Sequence, residues 1–289
     1  MKRKTLLWVG GLLCAALVVA FAAQVVMRLQ GVGLARMSPE ALSDKLSPHY
    51  RAILPEEGTG PFPTALLASG CDGPKDNMDT WAEALNEIGW AALVVDSHTP
   101  RGFDREPLWR LVCTGAVLSG GERAGDLAVA LADAREMEFV DPERLALIGA
   151  SHGGWAVLDL LALADRPRRP ENLRRWPTSP NRDPLAGVVA LAAIYPYCGA
   201  ASRVAHWGWK RELPVCFALV EDDSIVDSED CAEIASWQKT IGSPITVERF
   251  SAVSHGFDQM EKSTFSQLSY DEDATSKLIS SLQNFLGKS

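Results

Sequence analysis

The sequence is poor in positive charge. Its 28 Lys and Arg residues are outnumbered by 37 Asp and Glu residues, which leaves a formal net charge of -9. A surface that binds nucleic-acid phosphates needs clustered Lys and Arg side chains. The nearest basic cluster after the N-terminus, between Arg166 and Arg175, is interrupted by prolines and a glutamate. The composition therefore argues against a nucleic-acid partner.

The sequence also has no internal repeat and no low-complexity block. The chain has 289 residues, of which 47% are hydrophobic. A chain of this length can bury one sizeable core, so one α/β domain is expected rather than two.

One long apolar run stands apart at the N-terminus. Lys2, Arg3 and Lys4 precede a stretch from Leu6 to Met27 that is broken only by Gln24. As a helix, this stretch is long enough to cross a bilayer core of about 30 Å. Because basic residues stay on the cytoplasmic side, we expect a signal anchor with the rest of the chain on the periplasmic or extracytoplasmic side.

Two alternatives to the anchor stay open. A cleaved signal peptide would use a site such as Ala20-Phe21-Ala22 and release a secreted protein, and a buried soluble helix is the other possibility. The predicted organisation is an anchor over residues 1–30, a juxtamembrane linker over 31–60 and a catalytic domain over 61–289. Membrane contact through the N-terminal helix is the expected partner interaction.

Five cysteines follow the apolar run. An oxidising compartment allows two disulfides and leaves one thiol unpaired. Cys216 lies within an apolar strand-like run, so the proposed pairs are Cys71 with Cys113 and Cys198 with Cys231. Sequence alone does not fix the connectivity, and five reduced cysteines in a cytosolic enzyme are the alternative.

Strand-like apolar runs alternate with helical patterns from Pro63 onward. This alternation is typical of βαβ units, in which a mostly parallel sheet carries helices on both faces. The predicted strands are 64–68, 90–95, 145–148, 188–194, 215–220 and 245–250, and the predicted helices are 80–88, 123–137, 155–164, 229–241 and a closing helix over 278–286. A short helix over 39–46 and an edge strand over 50–54 are expected before them. The proline-rich stretch 165–184 is either a lid or a surface excursion.

The stretch from Leu145 to Trp155 carries the strongest catalytic signal. A short apolar strand ends at Gly149-Ala150-Ser151-His152-Gly153, which matches the G-x-S-x-G pattern of a nucleophile elbow. The glycines are needed because the sharp turn leaves no room for side chains beside the serine. Ser151 is therefore the candidate nucleophile, and an ordinary glycine turn is the alternative.

A serine nucleophile needs a base and an acid that orients the base. The strand 215–220 runs into Glu221-Asp222-Asp223, and we choose Asp223 as the acid, with Asp222 as the alternative. The strand 245–250 is followed by His255, the candidate base. The order Ser, Asp, His is that of α/β-hydrolases.

The other four histidines are weaker candidates for the base. His49 and His206 do not follow strands, and His98 precedes the serine. His152 lies next to the nucleophile, where its backbone N–H is useful for stabilising an oxyanion. The second oxyanion donor is expected from the loop after strand 64–68, with the Cys71 N–H as the choice and a plain glycine turn as the alternative.

Several motifs together resemble the dienelactone hydrolase-like branch of the α/β-hydrolases. Over residues 62–286 these are LLASGCDG, VVDSHTPRG, GASHGG, YPYCG, VEDDSIV and SHGF. The resemblance implies an α/β-hydrolase fold and hydrolysis without a metal or organic cofactor. Dienelactone hydrolase itself uses a cysteine nucleophile and a glutamate in the oxyanion-side loop, whereas this chain has Ser151 and Ser69-Gly70-Cys71 there. Arg101 is displaced by one residue from the family arginine that grips a substrate carboxylate; it and His98 are candidate substrate-binding residues, with a structural role for Arg101 as the alternative.

The sequence thus predicts a serine hydrolase that cleaves small or medium carboxylic esters through an acyl-enzyme. A serine peptidase of the prolyl-oligopeptidase type shares the order of residues, but no large domain precedes the catalytic region to gate peptides. A membrane-tethered binding protein without catalysis is the alternative from another class, since a fold does not imply a function.

Overall fold

The computed structural model describes residues 2–29, 31–105, 108–166, 168–179, 182–263, 266 and 268–288. Met1, Gln30 and Ser289, which bound the predicted segments, lie outside the described residues, as do Pro167, Pro180 and Asn181 of the stretch 165–184. The strands are β1 (Tyr50–Ile53), β2 (Phe62–Ala68), β3 (Ala91–Val95), β4 (Val140–Ala150), β5 (Val188–Ile194), β6 (Val215–Val220) and β7 (Ile245–Phe250). The α-helices are α1 (Lys2–Leu29), α2 (Pro39–Leu46), α3 (Asp76–Asn86), α4 (Leu108–Cys113), α5 (Gly120–Ala134), α6 (His152–Ala164), α7 (Arg203–Trp207), α8 (Ser228–Thr240) and α9 (Glu272–Leu286), and 3-10 turns lie at Ser47–His49 and Thr99–Arg101.

The seven strands found in the described part of the chain form one sheet in the order β1-β3-β2-β4-β5-β6-β7. β1 pairs with β3 in antiparallel orientation, and every other pair is parallel. The predicted mostly parallel α/β fold is confirmed. β4 begins five residues earlier than predicted because Val140 pairs with Phe62 ahead of the apolar run.

The inner strands of the sheet are buried on both faces and read as continuous apolar runs, whereas the edge strands β1 and β7 are partly exposed. In β2, Ala65 and Leu67 join the core covered by α3 and α9, whereas Leu66 and Ala68 join the core covered by α2, α5, α6 and α8. Successive side chains point to opposite faces of a strand. All four are therefore buried without any polar alternation in the sequence.

The stretch predicted as a juxtamembrane linker is part of the folded structure and is not a free tether. The predicted helix and edge strand are present as α2 and β1. Leu42 and Leu46 of α2 are fully buried. The Tyr50 hydroxyl at the start of β1 donates a hydrogen bond to Asp133 of α5 at 2.9 Å. Residues 39–53 therefore pack against the sheet and its helices.

The stretch 165–184 is a surface excursion and not a lid in this structure. Leu173 is fully buried and pairs with Met37 through a backbone bridge. The side chain of Asn172 donates a hydrogen bond to Asp126 of α5 at 3.1 Å. These contacts hold the excursion against α5, and none of its described residues lines the cavity above Ser151.

Both predicted disulfides are present. Cys71 is bonded to Cys113, and Cys198 is bonded to Cys231. Cys216 is a buried free cysteine, and burial raises the pKa of its thiol to about 12.

Candidate active site

Ser151 lies in a strained turn between β4 and α6. Its backbone has φ of 51° and ψ of -112°. For a residue with a side chain, such a conformation costs about 1–3 kcal/mol and persists only where the surroundings enforce it. Here the Ser151 N–H donates to the Ile194 carbonyl at 2.8 Å. The strand-to-helix turn that G-x-S-x-G predicts is present.

The two glycines of this motif are required by close backbone packing. A Cβ atom on Gly149 would lie 2.3 Å from the Gly153 carbonyl oxygen, and one on Gly153 would lie 2.1 Å from the Ala68 carbonyl oxygen. Both distances are far below van der Waals contact. A methyl group at either position would push β2, β4 and α6 apart at the point where Ser151 is held.

Ser151, His255 and Asp223 form a continuous hydrogen-bonded chain. The Ser151 hydroxyl donates to His255 Nε2 at 2.8 Å, and His255 Nδ1–H donates to Asp223 Oδ2 at 2.7 Å. This tautomer is assigned because a carboxylate oxygen can only accept. The Asp223 side chain is fully buried and that of His255 is 6% exposed. The arrangement can take a proton from the serine and stabilise the imidazolium that results.

Asp223 is the carboxylate that contacts His255, and Asp222 is not. Asp223 Oδ1 accepts the backbone N–H groups of Ile225 at 2.8 Å and Val226 at 3.2 Å, which leaves Oδ2 for the histidine. Burial alone would raise the pKa of Asp223, but the hydrogen bonds from His255 and from these two N–H groups outweigh it and the pKa is lowered. Asp222 is exposed and occupies a left-handed turn position with φ of 54°.

Tyr195 and Asp258 support His255 from the side, and neither was assigned a role from the sequence. The rings of Tyr195 and His255 have centroids 4.7 Å apart. The Tyr195 hydroxyl donates to Asp258 Oδ1 at 2.5 Å, and Asn77 Nδ2 donates to the other carboxylate oxygen at 3.4 Å. Burial raises the pKa of Asp258. The sequence signals for Tyr195 were its position directly after a predicted strand and its place in the YPYCG segment of the family resemblance.

The two predicted oxyanion segments meet beside Ser151. α6 begins at His152, so its backbone N–H is among the helix N-terminal groups that have no intrahelical acceptor. The loop after β2 approaches from the other side, since a Cβ on Gly70 would lie 4.0 Å from the Ser151 Cβ. Gly70, Cys71 and His152 all line the same cavity as Ser151.

Arg123 of α5 connects these two segments from inside the protein. It is only 1% exposed, and Nη1 donates to the Ser69 carbonyl at 2.8 Å and to His152 Nδ1 at 3.3 Å. Burial lowers the pKa of Arg123 to about 10, which still leaves it a cation at neutral pH. Burial and this cation lower the pKa of His152 well below the ordinary value. The ring is therefore neutral, and the buried positive charge lies behind the predicted oxyanion hole.

Arg101 and His98, predicted to bind substrate, are both directed into the protein. Arg101 donates two hydrogen bonds to the Asp126 carboxylate at 2.8 and 2.9 Å and a third to the Ser97 carbonyl. His98 is fully buried with Nε2 3.0 Å from the Cys71 carbonyl oxygen, and burial lowers its pKa well below the ordinary value. Neither lines the cavity. The prediction is corrected: both side chains support the loops behind the site, which is the structural role weighed for Arg101.

The cavity above Ser151 has a volume of about 640 Å³. This is within the roughly 300–1,000 Å³ typical of small-molecule sites. α4, a short helix that the sequence did not reveal, contributes Trp109 to its wall, and the Cys71–Cys113 disulfide ties α4 to the loop after β2. The larger side chains in the wall are mostly aromatic or aliphatic: Val25, Trp109, Trp155, Tyr195, Tyr197, Ile225 and Leu268.

Among the described residues, no group of three or more His, Cys, Asp or Glu side chains is arranged to hold a metal ion.

Comparisons with known proteins place the chain in a fold group. No family model matches the chain. A dienelactone hydrolase-like promiscuous phosphotriesterase from metagenomic libraries has a similar structure, with a TM-score of 0.59 and 17% identity over 83% of this chain and 91% of that chain. Esterase 2 of Thermogutta terrifontis, solved with propionate bound, has a TM-score of 0.60 and 16% identity over 83% of this chain and 88% of that chain. The chain therefore has the α/β-hydrolase fold that dienelactone hydrolase-like proteins and esterases share.

One curated protein is similar in sequence over a shorter stretch. The acylamino-acid-releasing enzyme of Arabidopsis thaliana is 29% identical over 120 residues, which are 42% of this chain and 13% of that enzyme. The matched stretch is thus a small part of the relative's length.

Proposed function

We propose that this chain is a serine hydrolase that cleaves carboxylic esters through an acyl-enzyme on Ser151. The observation that carries the proposal is the hydrogen-bonded chain from Ser151 through His255 to Asp223 at the floor of the cavity. Three side chains from separate loops meet there in the order and geometry that activate a serine. The likeness to solved esterases is consistent with this chemistry.

The acylation step uses the groups in their observed positions. His255 Nε2 takes the hydroxyl proton as Ser151 Oγ attacks the ester carbonyl carbon. The carbonyl oxygen becomes an oxyanion, for which the N–H groups of His152 and Cys71 are the proposed donors. The imidazolium then protonates the alkoxide leaving group, so the alcohol departs and the acyl group stays on Ser151.

Deacylation repeats the same proton transfers with water as the nucleophile. His255 removes a proton from water as it attacks the acyl carbon and returns the proton to Ser151 Oγ when the acid is released. Loss of a single oxyanion donor typically costs about 2.7–4 kcal/mol of transition-state stabilisation. Because the side chains and backbone supply base, acid and donors, the reaction needs no metal or organic cofactor.

We further propose that α1 is an uncleaved membrane anchor and that the catalytic domain, residues 61–289 with α2 and β1 packed onto it, lies on the extracytoplasmic side. The apolar part of α1, Trp8–Arg28, has 21 residues and a mean hydropathy of 2.4. The two disulfides favour an oxidising compartment. The alternative is secretion after signal cleavage. Intact mass of the protein from the membrane fraction tests this: loss of the first twenty or so residues, about one signal-peptide length, would overturn the anchor.

A serine peptidase is the second candidate, because the acylamino-acid-releasing enzyme is similar in sequence to this chain over 120 residues. Steady-state turnover of short-chain aryl esters and of acylaminoacyl and aminoacyl-prolyl amides distinguishes the two. We expect ester turnover that Ser151→Ala abolishes. Amide turnover well above ester turnover would favour the peptidase, and turnover of neither would favour a binding protein.

A further inference from the structure

The last turn of α1 forms part of the wall of the cavity above Ser151. Val25 lines that cavity. From Trp8 to Gln24 the side chains of α1 are exposed, whereas Val25 and Arg28 are partly buried. Residues three apart lie on the same side of a helix. One face of the end of α1 therefore touches the folded domain, and the rest of the apolar helix stands clear of it.

An ion pair holds this end of the helix against α5. Arg28 Nε donates to Glu122 Oε2 at 2.8 Å and Arg28 Nη2 donates to Glu122 Oε1 at 2.7 Å, so the ion pair is bidentate and fixes the relative orientation of the two side chains. Glu122 is itself fixed, because it forms the capping box of α5 with Ser119 and is only 5% exposed. The contact is therefore a directed one, anchored on a rigid partner.

The turn after α1 also fixes its direction. The Gly31 N–H donates to the Arg28 carbonyl, and the Val32 N–H donates to the Met27 carbonyl, both at 2.8 Å. With Gly31 in the left-handed region at φ of 72°, this is the paired bonding of a Schellman motif. Gly31 is buried, and a Cβ there would lie 3.1 Å from the Glu171 Cγ. The chain thus leaves the helix through a defined turn, without a flexible hinge at this glycine.

The length of α1 gives the depth of the cavity relative to a membrane. At 1.5 Å per residue, the 21 residues of Trp8–Arg28 extend about 31 Å, close to a hydrocarbon thickness of about 30 Å. Val25 lies three residues before Arg28, or about 4.5 Å along the helix axis. With α1 across a bilayer and Arg28 at the headgroup boundary, as proposed above, Val25 and the cavity wall would lie at that boundary.

One exposed apolar side chain lines the same cavity, and three others are near lining residues in sequence. Leu108 and Leu111 of α4 flank Trp109 in sequence, Ile225 lines the cavity and is 60% exposed, and Met260 follows the lining residue Gln259. Ile225 lines the same cavity as Val25, at the end of a helix long enough to cross a membrane, which favours a lipid surface on this side of the cavity.

We propose that the cavity takes its substrate directly from the bilayer, and that the substrate is an amphiphilic ester with a long acyl chain and its carbonyl at headgroup depth. This rests on the proposed hydrolase activity and on α1 remaining attached. The acyl chain enters along Val25 and the aromatic wall, and the ester carbonyl reaches Ser151 Oγ without passing through bulk water.

The test uses the full-length protein in phosphatidylcholine vesicles. The probes are 4-methylumbelliferyl palmitate in the bilayer and 4-methylumbelliferyl acetate in solution, with active enzyme counted by fluorophosphonate titration. We expect palmitate in the enzyme's own vesicles to be hydrolysed about tenfold faster than palmitate in separate vesicles, because both share one surface. Equal rates would overturn the proposal.

Matched variants separate access through the cavity wall from simple tethering. Val25→Trp places a large ring in the wall, whereas Val26→Trp changes the adjacent residue, which is 52% exposed. Val25→Trp should lower kcat/KM for palmitate by about fivefold or more, and Val26→Trp should leave it within about twofold of wild type. Arg28→Gln, which removes the charge that holds the helix end, should lower the palmitate-to-acetate ratio. Equal palmitate rates in the two Trp variants would contradict the proposed route.

The hydrolase activity and the bilayer substrate are refuted by different results. Wild-type protein that hydrolyses neither probe and is not labelled by fluorophosphonate would refute the hydrolase itself. Wild-type protein that is labelled and hydrolyses acetate, but not palmitate in its own bilayer, would refute only the bilayer substrate.

Discussion

Replacing Asp223 by Asn should nearly abolish catalysis by forcing His255 into the wrong tautomer. Asp223 Oδ1 accepts two backbone N–H groups, at 2.8 and 3.2 Å. In the Asn variant these donors hold the amide oxygen at that position, so the NH₂ group faces His255 Nδ1. The opposite orientation would lose two hydrogen bonds, about 1 kcal/mol each, and leave two N–H donors unsatisfied. His255 then carries its proton on Nε2 and cannot accept one from Ser151.

The expected loss is about 10³ to 10⁴ in kcat/KM, or roughly 4–5.5 kcal/mol of transition-state stabilisation, with little change in KM. Asp222→Asn is the matched control, because it makes the same charge change one residue away. Asp222 is exposed in a left-handed conformation, which Asn tolerates. Aryl-ester kinetics on the two variants decide the matter. A value for Asp223→Asn within about threefold of wild type, or an equal loss in Asp222→Asn, would refute the reasoning.

Three further predictions concern the surroundings of the triad. Cys113→Ser and Cys231→Ser each remove a disulfide, of sequence separation 42 and 33, and each should lower the free energy of unfolding by about 4 kcal/mol. Only Cys113→Ser should lower kcat, because it frees the loop after β2 that holds the predicted donor Cys71. Equal kcat values in the two variants would contradict this. Arg123→Met should lower kcat by about tenfold with partial recovery in Arg123→Lys, and a folded Met variant with wild-type kcat would count against its role. Burial raises the pKa of Asp159 to about 8; the folded state therefore holds this proton more tightly than the unfolded state, so the contribution of Asp159 to the free energy of unfolding should fall as the pH rises from about 4 to 8. In urea unfolding over this pH range, the free energy of unfolding of wild type minus that of Asp159→Asn should fall as the pH rises. A difference that does not change with pH would contradict the prediction.

The strands of the sheet were predicted more accurately than the short helices. β5 and β6 were predicted with the bounds they have, because a strand buried on both faces is written as an uninterrupted apolar run. The edge strand β7 was also predicted with its observed bounds, although Thr246, Glu248 and Arg249 interrupt its apolar residues. α4 and α7 were missed since five or six residues are too few to show a helical period. In α5, no sequence pattern indicated that the charged residues Arg123 and Asp126 are buried.

Contacts between distant segments account for most of what the sequence did not reveal at the site. Arg28 and Glu122 are 94 residues apart, and neither carries a local sign of the ion pair. The supporting pair Tyr195 and Asp258 is joined only by the fold. The assignment of Arg101 to substrate followed a resemblance in a loop, whereas the fold pairs its guanidinium with an acid buried on α5. Local motifs thus indicated the chemistry but not the groups that position it.

The most direct test of the central claim is the site of a fluorophosphonate adduct, mapped by peptide mass spectrometry on the full-length protein. We predict one adduct, on the peptide that contains Ser151, absent in Ser151→Ala and formed far more slowly in His255→Ala. Ester hydrolysis by a protein that forms no adduct, or an adduct on another residue that persists in Ser151→Ala, would contradict Ser151 as the nucleophile.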